Sequence, residues 1–257
     1  MLKVHHFNNP SELLAATPKP YDPGDNNWLG MSPDKAVECI VKGDMSAVEG
    51  GEKFINKLEH SLVLPETFGH ETVRSPFGAR VNMGDWSAGS PTPMRRRVKR
   101  VSDISPVRIF VDMFCSASVT AATMRQRGEA ITALVMLAQK VRPVDLYAIA
   151  STTYAGHDDG QRYISIHLDS RPISLSQVGF CIGHPSFFRC ICIGFFRSTE
   201  TTPTVPLLRR TREEQRKDLD LNPNDILIEK ASGLDPLVND PEQWIMQELT
   251  KMIGTGE

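Results

Sequence analysis

The sequence predicts an α/β fold, with α+β as the alternative, built around a central strand–helix–strand unit. Three observations carry that prediction. Residues 107–113, VRIFVDM, form a β-branched, aromatic and apolar run that reads as a buried strand. Residues 119–140 set Val119, Met124, Ile131, Leu134, Val135 and Ala138 on a helical stripe with polar residues opposite. Residues 144–150 are a second apolar run. A helix between two strands of one sheet implies a parallel pair with a right-handed crossover.

The other elements follow in chain order. Residues 1–30 are dense in Pro, Asn, Asp and Gly and read as an extended N-terminal arm. Ser32 as N-cap, Pro33 at the first helical position and Gly43 beyond the end predict a helix over 33–42. Helical character resumes in AVEGGEKFINKLEHSL, and residues 64–93 suggest short strands or a hairpin. RYISIHLDS and FFRCICIGFF alternate as strands do, whereas SLSQVGFCIGHP suits either helix or strand. From residue 201 a Thr-, Pro- and charge-rich stretch reads as a linker or solvated helix. It leads to DPEQWIMQELTKMIGTGE, an amphipathic tail helix capped by Asp240, with Trp244, Ile245, Leu249 and Met252 on its apolar face. The domain reading is therefore an arm over 1–30, an α/β core over 31–200, and a linker with an acidic tail over 201–257.

Composition narrows the class. The 257 residues are 40% hydrophobic and 23% charged, which suits a globular chain with a sizeable core. No window is apolar for long enough to cross a membrane, and the N-terminus lacks the basic and apolar regions of a secretory signal. The five cysteines form no C-x-x-C pair, so buried free thiols in a reducing cytoplasm are expected. The formal net charge of −2 conceals a strong pattern. Residues 1–73 carry net −5, 74–142 net +8, 143–212 net +2 and 213–257 net −7.

Several stretches invite a catalytic or metal-binding interpretation. VDMFCSAS places Asp112 at a strand end ahead of Ser116 and Ser118, which resembles the Asp-x-Ser-x-Ser metal motif of von Willebrand A domains. Asp112 stands four residues before Ser116 rather than two, so the preferred interpretation is a capping serine and a locally hydrogen-bonded aspartate. The helix start also suits phosphate. In GHDDG, His157, Asp158 and Asp159 read as turn chemistry before they read as a metal-dependent nuclease site. His184 is a lone histidine before a proline, and Cys115 reads as a buried thiol. No phosphate loop, dinucleotide fingerprint or nucleophile elbow occurs, so no enzyme, metal or cofactor is predicted.

The basic run PMRRRVKRVS is the sharper signal. Arg95, Arg96, Arg97, Lys99 and Arg100 repel one another unless solvent or an anion compensates. Arg74, Arg80 and Arg108 add charge nearby, and Arg209, Arg210 and Arg212 form a second cluster. Phe77 and Trp86 lie among the first group, as base stacking on a single strand requires. These residues, Arg108 apart, make the expected nucleic-acid-binding set. Without a helix-turn-helix or zinc finger, sequence-specific duplex reading is not expected.

The stretches NNWLGMSPDKAVECIVKGD, FGARVNMGDWSAGSPTPMRRR and VRIFVDMFCSASVTAATMRQRGEAITALVMLAQ resemble a family of phage-encoded proteins of uncharacterised function. Gly78, Val81, Gly84, Gly89, Pro91 and Met94 approximate its Gly-x-Val-x-x-Gly and Gly-x-Pro-x-x-Met steps. Ser116, Ala117, Ser118, Arg127, Gly128 and Ala130 match its helix, and His184, Pro185 and Arg189 its late element. Within that family the chain is similar to the Drc-type single-stranded-DNA-binding proteins of lytic podophages carrying a virion RNA polymerase. The resemblance implies a sequence-independent binder of single-stranded DNA, self-associating, acting in phage replication or in transcription with the phage RNA polymerase, in the host cytoplasm. The alternative is a von Willebrand-A-like interaction module with a degenerate metal site.

Overall fold

A computed structural model of the chain describes residues 3–58, 70–78, 80–99, 106–115, 119–152, 162–168, 174–199, 211–232 and 236–254. It is a mixed α/β structure in two compact units: residues 1–62 with 106–257, and residues 63–105 inserted between them in sequence.

The main unit starts with β1 (Lys3–Phe7), α1 (Pro10–Ala15), α2 (Asn26–Leu29), α3 (Pro33–Lys42) and α4 (Ser46–Leu58). The inserted unit holds β2 (His70–Ser75), β3 (Arg80–Val81), α5 (Met83–Ser87) and β4 (Met94–Lys99). The main unit then resumes with β5 (Val107–Asp112), α6 (Ala121–Val141), β6 (Val144–Thr152), β7 (Arg162–His167) and α7 (Leu175–Gly183). A π-helical stretch (Phe187–Cys192) runs into α8 (Ile193–Ser198). The chain closes with α9 (Arg212–Asp218), β8 (Ile226–Ile228), α10 (Pro236–Asn239) and α11 (Pro241–Gly254).

The predicted crossover is present: β5 and β6 pair in parallel, Val107 against Val144 through Asp112 against Ile149, with α6 between them in sequence. The sheet order is β1-β7-β6-β5-β8, and β6–β7 is its antiparallel pair. Both faces of β5 are buried, which is why its sequence is a continuous apolar run. Val107, Ile109 and Val111 alternate with Phe110, which joins Ile149 and Leu227 in a cluster that Tyr147, Leu219 and Leu221 pack against. Phe110, Tyr147 and His167 stack ring on ring across three strands, with 4.7 Å between successive centroids. Helix α6 packs against α4, α7, α10 and α11. Gly128 makes the α6–α7 approach feasible, because a Cβ there would sit 2.1 Å from the Gly183 Cα.

Four expectations change. Residues 1–30 are not an extended arm: β1 pairs in parallel with β7, and Leu13 and Leu29 are fully buried. The segment after residue 200 is more than linker and tail, since β8 pairs with β5 and α11 buries Ile245, Leu249 and Met252. FFRCICIGFF is helical, not a strand, and SLSQVGFCIGHP supplies α7. Every residue from Val178 to Phe196 is buried, so no exposed face imposes a period and a short apolar run reads equally as either structure. Finally, α6 is capped by Thr120, whose hydroxyl accepts the Thr123 N–H at 3.1 Å, not by Ser116 or Ser118, which lie outside the described residues.

Other expectations hold. Helix α3 spans Pro33–Lys42, with Ser32 accepting the Lys35 N–H and Gly43 closing it. All five cysteines are free and buried. Among the described residues no single helix is long and apolar enough to cross a membrane. The bent pair α7 and Phe187–Ser198 has that composition because it is core.

Candidate nucleic-acid interface

The basic run becomes a strand, for an electrostatic reason. In an extended backbone successive side chains leave on opposite sides, so adjacent arginines are held apart. Strand β4 is the centre of a three-stranded antiparallel sheet of order β2-β4-β3. Its register brings cations together from different strands, because Arg95 is the partner of Arg74 on β2 and of Arg80 on β3. Three arginines therefore stand abreast across the sheet. Like charges placed directly opposite destabilise a ladder, and all three are exposed to solvent.

Alternation divides the sheet further. Positions 97 and 99 of β4 fall in the same class as Arg95, and the register matches them with positions 72 and 70 of β2. The opposite class holds positions 71 and 98, with Val73, Ser75, Val81 and Met94, together with Arg96, which is exposed. One class of positions thus gathers most of the cations of the sheet, and the other is mixed.

The stretch between β2 and β3 has to pass the backbone of the central strand. Gly78 permits this, since a Cβ there would lie 2.4 Å from the Arg95 carbonyl oxygen. Phe77 beside it is 77% exposed. Helix α5 is tied in by the Asn82 N–H, which donates to the Pro93 carbonyl at 2.8 Å. The Asn82 side-chain amide donates to Asp85 Oδ2 at 2.7 Å, and that same oxygen lies 3.6 Å from Arg74 Nε. Trp86 and Met83 on α5 are 62% and 71% exposed. Cations and large apolar side chains thus share the surface of one small unit, the pairing that backbone tracking and base stacking need. Met83 and Asp85 are not singled out from sequence. The signal for Asp85 was its place as an isolated acid within a basic segment.

The remaining predicted residues are distributed otherwise. The backbones of Arg97 and Lys99 lie in β4, and Arg100, Arg209 and Arg210 fall outside the described residues. Arg212 opens α9 in the main unit, with Nε 3.9 Å from a Glu229 carboxylate oxygen, so it does not belong to this sheet. Arg108 is likewise used internally, paired with the buried Asp225.

Asp112 is a structural anchor. It is 2% exposed, Oδ1 accepts the Phe114 N–H at 2.9 Å, and Oδ2 accepts the Gln215 side-chain amide at 2.6 Å. Burial pushes its carboxyl upward against those hydrogen bonds. Oδ2 thus ties α9 to the sheet, while Oδ1 holds the backbone just after β5. His157, Asp158 and Asp159 lie outside the described residues. His184 accepts the Ser186 N–H at Nδ1 and borders a cavity of about 10 Å³, room for one water. Burial of the Cys115 thiol pushes it upward, away from the reactive thiolate. Among the described residues no cluster of three or more His, Cys, Asp or Glu could hold a metal ion.

Comparison with curated proteins and with solved structures finds no match to either. A family model described as a domain of unknown function, DUF7192, matches residues 2–209, which takes in the inserted sheet and most of the main unit. The chain belongs to the DUF7192 family.

Proposed function

We propose that this protein binds single-stranded DNA without sequence preference, through the inserted unit. The observation that carries the reading is the row of Arg74, Arg95 and Arg80 abreast on the β2-β4-β3 sheet. A sheet keeps such a row at an energetic cost, and a linear polyanion laid over it offsets that cost. Exposed Trp86 and Phe77 supply faces for unpaired bases, which a duplex does not offer. The Drc-type resemblance supports the same reading and adds its setting: phage DNA replication or transcription by a phage RNA polymerase, with self-association. The von Willebrand-A-like alternative keeps the β5–α6–β6 crossover but has its proposed metal ligand Asp112 engaged elsewhere.

Fluorescence anisotropy on labelled single-stranded and duplex oligonucleotides, across a salt series, tests the proposal. Single-strand affinity should exceed duplex affinity and fall steeply with salt. Replacing Arg74, Arg80 and Arg95 together with Ala should flatten the log K against log salt slope by about 2, at about 0.7 per phosphate contact. Equal affinity for duplex, or an unchanged slope in the triple variant, overturns the assignment.

A further inference from the structure

We propose that Asp85 is a built-in competitor for nucleic-acid phosphate at Arg74, and so sets the affinity of the basic sheet. This rests on the single-strand-binding reading above. Among the side chains described in the inserted unit Asp85 is the one carboxylate. It stands where a phosphate oxygen would have to stand. Its Oδ2 lies 3.6 Å from Arg74 Nε, and its side chain is 18% exposed beside an Arg74 that is 66% exposed.

The carboxylate is held in place independently of the arginine. Asn82 donates its side-chain amide to the same Oδ2 at 2.7 Å, and Asn82 also caps α5 through the Gly84 N–H at 3.2 Å. The Ser90 N–H donates to the Asp85 carbonyl at 2.9 Å. Asp85 is therefore fixed while Arg74 is free to turn, and an exposed ion pair of this length is weak enough to exchange. Binding transfers the Arg74 guanidinium from a fixed carboxylate to an incoming phosphate. The Asp85 charge then faces that phosphate and opposes it. The arginine row is held below its full affinity, which favours release and movement along the strand over permanent capture.

The test is a mutant cycle read by anisotropy on a labelled oligothymidylate across a salt series. Asp85→Asn keeps an acceptor for the Asn82 amide while removing the charge. It should bind about two- to five-fold more tightly at low salt and steepen the salt slope by about 0.7. Asp85→Ser, a second way to remove the charge on a short polar side chain, should give the same gain. In an Arg74→Ala background the gain should vanish. Unchanged or weaker binding by both Asp85 variants, with the wild-type protein binding normally, overturns this inference and leaves the function standing. A gain that persists without Arg74 overturns it too. Failure of the wild-type protein to bind removes the function and this inference together.

Discussion

The two units handle arginine in opposite ways. In the main unit two guanidinium groups, those of Arg127 and Arg189, are internal fittings. Arg127 is fully buried and donates to the carbonyls of Asp112 and Glu229, so it bridges the ends of β5 and β8. Arg189 is 2% exposed, donates to the carbonyls of Trp28 and Val119, and lies over the Trp28 ring at 4.8 Å. In the inserted unit Arg74, Arg80, Arg95 and Arg96 face water instead. The same residue type serves architecture where the backbone around it needs donors. In the inserted unit its charge stays exposed to solvent, with the Asp85 carboxylate beside Arg74.

That contrast breaks most visibly at Arg189. Arg189→Met keeps much of the volume but leaves the Trp28 and Val119 carbonyls without this donor. The expected loss is about 3–5 kcal/mol of main-unit stability, at about 1–3 for each orphaned group plus the lost ring contact. A urea titration should show it as a lower midpoint with an unchanged slope.

Next comes acid. Burial, reinforced by the Arg125 guanidinium, holds His184 down from 6.5 to about 4. The folded state therefore resists a proton that the unfolded chain accepts. Stability is complete above pH 6.5 and falls as pH drops towards 4, by up to about 3 kcal/mol. His184→Gln should flatten thermal stability across that window, and a profile identical to the wild type would assign the acid sensitivity elsewhere.

Gly128→Ala should cost about 1–3 kcal/mol through forced separation of α6 and α7, read as a lower melting temperature. The smallest stability effect belongs to Arg95→Ala. It should change unfolding by less than about 0.5 kcal/mol while reducing the salt slope of single-strand binding by about 0.7. An Arg95 variant that destabilised the protein severely would erase the distinction between the two units.

Legibility in the sequence followed the same division. The β5–α6–β6 unit, α3 and α11 were readable because each has a clear period or a cap residue at its end. β1 was not, since HHF and the Pro- and Asn-rich stretch behind it look like coil until the distant partner strand is known. The π-helical stretch was misread because burial on every side removes the periodicity that separates helix from strand. Charge density pointed to the arginines of the candidate interface, but their alignment across three strands was not readable. Register depends on pairings that composition does not encode. The bounds of the insertion were hidden as well, because residues 63–105 carry no Gly- or Ser-rich linker at either end.

The pairing of β1 with β7 also has a consequence in time. Lys3 is matched with Arg162 and Phe7 with Ile166, so β1 leaves a ribosome well before the strand it pairs with and waits for it. At about 5–20 residues per second that wait is on the order of ten to thirty seconds. Once residue 99 has emerged, β2, β3 and β4 are all present, while β1 still lacks the strand it pairs with. The arginine surface can therefore form before the larger unit closes its outer edge.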